Sequence, residues 1–346
     1  MLLRRSLGSR WAARPLQPFS GRASTRSAAS ASGSPIFSYP LASPPTTLYE
    51  HPELYEAVFS YRDMKQEVEF LRDLYAKHAK GAPLNAVIEL GCGPASHAIG
   101  LSRAGVPRVT GLDLSDEMLK FARWKYDATG GAGPSAQRAA AAASAAPNKS
   151  GKGFAAASPA SPVPFSLSFV CADMTDWALG PTEPPLDMAV CMLGTFLHCL
   201  DNESACAAFG CASKALRPGG LFVLELSHPG DLFDGTFIIG DGGKEVWEVP
   251  AGTDHKILVE WGADFDNFDP VTQVVHRTVS VNVLRGDEVE SSMEEIVMQR
   301  QFTVQEIRLM ASMHGFVVES FFGDTSLDVD LSHEDAFRMI AVLRKG

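Results

Sequence analysis

Residues 87–105, VIELGCGPASHAIGLSRAG, constrain this chain more than any other stretch. Val87, Ile88 and Leu90 read as a buried strand, the glycines as a turn, and the run from Ser96 as a helix. Gly91 and Gly93 carry no Cβ, so the backbone can turn sharply and approach a ligand closely. Ser96 is placed to cap the helix. Such a strand–turn–helix leaves N–H groups free at the helix start, where a nucleotide-like ligand can sit. A dinucleotide turn reads G-x-G-x-x-G; its sixth position here is Ser96, which speaks against a pyrophosphate packed on the helix end. Glu89 stands just before the turn.

The rest of the chain repeats the strand-then-helix rhythm. Val109 and Leu112 fit a second strand with Asp113 at its end, 20 residues after Gly93. In a doubly wound sheet ligands bind at that edge, where an acid can accept two hydrogen bonds from a ribose diol. Ser115 then caps a helix with Asp116 and Glu117 in its first turn. Residues 128–164 are low complexity in Ala, Ser, Gly and Pro and read as a disordered surface insertion. The stretch 165–177, FSLSFVCADMTDW, resumes with a third strand ended by Asp173. Asp113 and Asp173 lie 60 positions apart; with the 37-residue insertion set aside, 23 remain, enough for one helix and one strand. LDMAVCMLGTFLHCL (186–200) gives a fourth strand followed by Gly194, Thr195 and His198. ALRPGGLFVLELSHPG (215–230) gives a Pro-Gly-Gly turn, a strand apolar apart from Glu225, then Ser227 and His228. Near the end, Thr303 and Glu306 form a capping box, the helix stops at Gly315, and two more strands follow.

The succession acid-x-Gly-x-Gly, Asp113, Asp173 and Pro-Gly-Gly resembles the class I S-adenosylmethionine-dependent methyltransferases of small-molecule type, over about residues 49–346 less the low-complexity insertion. The third glycine usual in that motif is Ala95 here. The resemblance implies an α/β fold with a doubly wound, seven-stranded, mostly parallel sheet whose last strand is antiparallel. It implies S-adenosyl-L-methionine as cofactor. Gly91 and Gly93 would wrap its methionine part, with Glu89 placing the loop. Asp113 would take the ribose, Met118 would lie against the adenine, Asp173 would accept from the exocyclic amine, and Met174 would add a backbone contact. A helical entry region at 51–80, with Tyr49, Tyr55, Phe59 and Tyr61 nearby, would lid the cofactor. His198 and His228 are the candidates for taking a proton from an acceptor, since an ordinary imidazole titrates near pH 6.5.

Residues 229–301 break the alternation of strand and helix. Val279, Val281 and Val283 alternate with polar residues up to a Gly286-Asp287 turn, and 257–261 and 294–302 are strand-like partners. They predict an accessory antiparallel sheet over the site. Trp247, Trp261, Phe265 and Phe268 either line an acceptor pocket, close round a cation, or form a core beneath the lid.

Residues 1–48 contain six arginines and no Asp or Glu, and read as an organelle transit peptide, mitochondrial or plastidic. Beyond them 24 Lys and Arg face 41 Asp and Glu, a formal charge of −17. A body this acidic argues against nucleic acid and anionic membrane as partners. No apolar run reaches the ~18 residues of a membrane span. The six cysteines form no C-x-x-C pair, and no His and carboxylate cluster suggests a metal. Cys171 and Cys191, in apolar strands, read as buried thiols, and Cys92 as partly exposed. The expectation is a methyltransferase with a small-molecule acceptor, an amine or amino acid first. Alternatives are S-methylation of a thioether acid in osmolyte biosynthesis, a non-catalytic cofactor-binding organelle assembly factor, or an NAD-dependent oxidoreductase. The residues name neither the acceptor nor the oligomeric state.

Overall fold

Successive side chains of strand β1 (Ala86–Leu90) leave for opposite layers: Ile88 and Leu90 join one apolar cluster and Val87 another. The same period-two division runs along β5 (Leu216–Ser227), where Phe222 and Leu224 face one layer and Leu221 and Val223 the other. A strand apolar on both faces needs cover on both, and helices supply it. Helices α2 (Met64–His78) and α3 (Ser96–Arg103) cover one face with Leu71, Leu74 and Leu101. Helices α5 (Asn202–Ala215) and α6 (Val304–Met313) cover the other with Phe209, Ala212 and Ile307.

The computed structural model describes residues 47–130, 166–233, 244–264 and 266–346, all within the unit Tyr39–Gly346. The segment up to residue 46, expected to be a transit peptide, the low-complexity insertion from residue 131 to 165, and Phe265 lie outside the described residues. No helix among the described residues is long and apolar enough to cross a membrane.

The remaining strands of the main sheet are β2 (Arg108–Asp113), β3 (Ser166–Cys171), β4 (Leu186–Cys191), β11 (Phe316–Phe322) and β12 (Arg338–Lys345). Their order is β11-β12-β5-β4-β1-β2-β3. β1, β2 and β3 pair in parallel, as do β1 with β4 and β4 with β5, while β12 runs antiparallel to β5 and β11. The expected seven-stranded, doubly wound sheet with a reversed last strand is present. Strand order reverses between β1 and β4, and that crevice is where such sheets bind ligands.

A second, antiparallel sheet has the order β10-β9-β7-β6, with β8 (Asn267–Asp269) also on β9. Its members are β6 (Glu245–Pro250), β7 (His255–Trp261), β9 (Val274–Arg285) and β10 (Glu288–Arg300). Gly286, at φ +60°, makes the expected turn between β9 and β10. Strands β6 and β8 were not expected. One face carries Val249, Val259, Val281 and Met293, packed on Leu48 and on Val58 of the entry region's first helix. Trp247 Nε1 donates to the Val58 carbonyl at 2.9 Å. Trp247 and Trp261 are partly buried against this cluster, so both belong in part to the core beneath the lid.

Three sequence readings need correction. Cys171 is exposed, because β3 is the sheet's outer strand, whereas Cys92 is buried under the turn. Ser96 does not cap α3: the residue before the helix is Ala95, in left-handed conformation, and makes no side-chain cap.

Candidate active site

The turn after β1 is built from three left-handed residues, Gly91 (φ +60°), Gly93 (+51°) and Ala95 (+58°). A Cβ on Gly91 would overlap Thr195 Cγ2 from the turn after β4, so only glycine fits. Glu89 caps the helix in place of Ser96. Its Oε2 accepts from Ala98 N–H at 2.8 Å, and its Oε1 lies 2.9 Å from His97 Nδ1. The Ser96 hydroxyl instead accepts from Lys125 Nζ at 2.7 Å. Lys125 also pairs with Glu56 at 2.6 Å and so ties α1 (Pro52–Val58) to α4 (Asp116–Ala128).

Because β1, β2 and β3 are parallel neighbours, the turns that follow them share one rim. Asp113 closes β2 with both oxygens in use: Oδ2 accepts from Gly93 N–H at 2.7 Å and Oδ1 from Ser115 N–H at 2.8 Å. A carboxylate oxygen has a second lone pair, so each can still accept from a ribose hydroxyl. Burial raises the Asp113 pKa, against the pull of those two donors. Asp173 is exposed; its Oδ1 accepts from the Thr175 N–H and hydroxyl at 2.8 and 2.7 Å. Ala172 N–H donates to the Asp113 carbonyl at 3.0 Å, which sets the two acidic turns side by side. Met174 is half-buried, and its carbonyl accepts from Trp177 Nε1. Met118 is 1% exposed, a core side chain rather than an open platform. Leu114, between Asp113 and Ser115, is 70% exposed and offers the apolar surface instead. An unpaired leucine directly after the acid was the signal for it.

Opposite this rim stand the entry tyrosines. Tyr55 lies over the turn, 3.8 Å from where a Gly93 Cβ would be, and stacks on Phe59 at 4.7 Å. Tyr49 Oη is 3.2 Å from His198 Nε2. Burial raises the pKa of both tyrosines, so their hydroxyls stay protonated. His198 follows β4 on a single turn of 3₁₀ helix, Thr195–His198. Its ring opens to solvent at the edge, yet the atoms crowding it desolvate it and lower its pKa; a hydrogen bond to the Met298 backbone works against that. In the tautomer that leaves Nε2 without a proton, the Tyr49 hydroxyl donates to it. His228 is placed otherwise. Its Nδ1 accepts from Gly230 N–H at 3.1 Å and its Nε2 lies 3.2 Å from the Leu331 carbonyl. Both nitrogens are engaged, so His228 caps the short turn Pro229–Leu232 and is not poised to take a proton.

A row of side chains crosses the inner face of the lid sheet. Glu245 pairs with Trp261, Trp261 with Val279, and Val279 with Glu295. Alternation puts them on the face that carries Val259 and Val281. Arg277, two residues before Val279, shares that face and is buried. Burial raises the pKa of Glu245 and of Glu295. Glu295 accepts from Leu48 N–H at 2.8 Å.

Behind the turn lies a charge ladder that sequence reading missed. His97 Nε2 is 2.7 Å from Glu67 Oε2, and Glu67 takes Arg62 Nε at 2.7 Å. Arg62 also forks onto Glu225 with two 2.9 Å bonds, and Arg338 Nη1 meets Glu225 at 2.6 Å. Glu225 Oε2 further accepts from Leu193 N–H at 2.9 Å. Among the described residues, no three His, Cys, Asp or Glu side chains gather as for a metal ion.

A family described as "Methyltransferase domain" matches residues 87–156. Solved structures align over most of the chain. One is an S-adenosylmethionine-dependent methyltransferase from Clostridium acetobutylicum, 14% identical, covering 85% of this chain and 97% of its own, with a TM-score of 0.59. Another is CalS10, an amino pentose methyltransferase from Micromonospora echinaspora, 17% identical, covering 85% and 97%, with a TM-score of 0.59. A third is the sugar N-methyltransferase KedS8 from Streptoalloteichus, 16% identical, covering 92% and 100%, with a TM-score of 0.57. No curated protein sequence matches the chain significantly. The matched segment carries the signature of a methyltransferase domain, and the fold is that of solved S-adenosylmethionine-dependent methyltransferases. CalS10 is described with S-adenosylmethionine bound. The residues present fit that group: a Cβ-free turn, an acid with spare lone pairs, and an exposed Leu114 lie on one rim.

Proposed function

We propose that the protein transfers the methyl group of S-adenosylmethionine to the amine of a small molecule. The observation that carries this reading is the lid's inner row Glu245–Trp261–Val279–Glu295, which puts one acid beside the Trp261 ring and another on the backbone of Leu48, next to Tyr49. Acids beside aromatic faces attract a cationic amine. The acidic body and two structural neighbours, one described as an amino pentose methyltransferase and one as a sugar N-methyltransferase, support it.

Bound to the rim, the cofactor supplies an electrophilic methyl group on a sulfonium. The chain's own residues do the remaining work. Gly91, Gly93, Asp113, Asp173 and Leu114 hold the donor, and Glu89 holds the turn. Tyr55 and Phe59 exclude water from the rim. Fixing both reactants for an in-line displacement lowers the barrier by several kcal/mol. An ammonium acceptor must lose its proton before it attacks. In the tautomer that leaves His198 Nε2 bare, Tyr49 Oη donates to it, so as Oη takes a proton from the ammonium its own can pass to the neutral ring.

Arg277 on the same face favours a second reading, S-methylation of a thioether that carries a carboxylate. Incubating the protein with methyl-labelled donor and a panel of amino sugars, amino acids and thioether acids decides between them. Label in a thioether acid alone, or in a lysate protein and no small molecule, would sink the amine reading. Residues 1–48 are proposed to direct the chain to an organelle; a fluorescent fusion of that segment that stays cytosolic would refute this.

A further inference from the structure

His97 sits at the centre of the ladder and belongs to no step described so far. It is buried, in the first turn of α3, between Glu89 on β1 and Glu67 on α2. Carboxylates only accept, so two carboxylate partners require an N–H on each ring nitrogen, and the ring is an imidazolium. The ladder then alternates in sign: Glu89, His97, Glu67, Arg62, Glu225, Arg338. Three acids meet three cations, and no enclosed charge lacks a neighbour of opposite sign.

The first and last acids of this ladder are backbone contacts of the site. Glu89 accepts from Ala98 N–H and fixes the start of α3 behind the glycine turn. Glu225 accepts from Leu193 N–H, and Leu193 holds a left-handed conformation (φ +58°). Two residues on, Thr195 fills the space left by the missing Cβ of Gly91. The two turns therefore touch directly at Gly91 and are also joined, from behind, through charge.

We propose that His97 is a positioning residue for methyl transfer: as a cation clamped by Glu89 and Glu67, it holds the donor-binding turn in register with the turn after β4. The role rests on the cofactor assignment above. Glu67 and Glu89 are the charged groups that face the ring, with Arg62 one link beyond Glu67. Burial alone would depress the ring's titration, but these two carboxylates outweigh it and carry it up to about 9.

The test compares wild type with His97→Gln, which keeps the bulk and loses the charge. S-adenosylhomocysteine binding is measured by calorimetry from neutral pH to above 9. At neutral pH the variant should bind about tenfold more weakly or worse, the effect of a lost charged hydrogen bond. Wild-type affinity should fall toward the variant's as pH passes about 9. The ligand's own amine titrates equally against both proteins, so the ratio of affinities isolates His97. A purely structural residue would leave that ratio constant with pH. A constant ratio overturns the role; wild type that ignores S-adenosylhomocysteine at every pH overturns the cofactor assignment and the role with it. Should the variant not fold, the nitrogen NMR spectrum of the wild-type ring decides. Two protonated nitrogens at neutral pH support the role, and a neutral ring overturns it.

Discussion

Arg62 closes a two-pronged fork on Glu225, a residue 163 positions later, with Nη1 and Nη2 each 2.9 Å from a carboxylate oxygen. Both side chains are enclosed, at 7% and 6% exposure. Removing one partner strands the other in the interior. Arg62→Met should cost about 3–5 kcal/mol of unfolding free energy, because it leaves both Glu67 and Glu225 short of a cation. Denaturant unfolding checks this. A loss under about 1 kcal/mol, the range of an exposed ion pair, would mean the fork is solvated in solution.

Stability should decline on both the alkaline and the acid side. His97 titrates near 6.5 when unfolded and at about 9 in the fold. Its contribution is fully present below about pH 6.5 and lost as pH rises through about 9. Glu225 is displaced the other way: burial alone would raise its pKa, but Arg62 and Arg338 hold it far below the carboxylate range. Its contribution is present above about pH 4.3 and lost as pH falls toward that depressed value. Melting temperature against pH reads both limbs, and the alkaline limb should flatten in His97→Gln.

Gly91→Ala places a methyl group on Thr195 Cγ2 and demands φ +60° of a residue with a Cβ. The turn must shift, and donor affinity should drop by at least about tenfold, with about 1–2 kcal/mol lost from backbone strain alone. Calorimetry with S-adenosylhomocysteine measures it. Gly91→Ala, Thr195→Ala should recover part of the loss, since the overlap goes and the strain stays.

Asp113 and Asp173 should not be equivalent. Asp113 holds the backbone of its own turn and of the glycine turn, whereas Asp173 braces only its own. Each substitution by alanine should weaken donor binding by about 1–3 kcal/mol, with Asp113 the costlier. Equal, small effects would place the ribose elsewhere.

Tyr49→Phe removes the hydroxyl that meets His198 and leaves the ring. With an ammonium-bearing acceptor, kcat should fall by about 10²-fold or more, the share typical of a positioned acid–base group, while donor affinity stays near wild type. An unchanged kcat would remove Tyr49 and His198 from the proton path.

The sheet and its rim were legible because they are written in local signals: alternating apolar strands, glycines at the tight turn, acids at strand ends. Glu89, Gly91, Gly93, Asp113 and Asp173 fall on one rim because parallel strands put their exits on one side. Long-range pairing was not legible. Glu225 stood out as the one acid in an apolar strand, but nothing local says that its partners are Arg62 and Arg338, 163 and 113 residues away. Ser96 misled for the opposite reason. It has the chemistry of a cap, yet the three left-handed residues before it aim the helix start at Glu89. His228 misled because a lone histidine shows its charge-bearing ring and not the carbonyl and amide that occupy it.

Strand β12 is inserted between β5 and β11, and it brings Arg338 to Glu225. A ribosome that has delivered the glycine turn, both acidic turns and the whole lid has still not delivered that arginine. Behind the donor pocket of a nascent chain three acids thus face only two cations, and the balance closes when residue 338 has emerged and threaded into place.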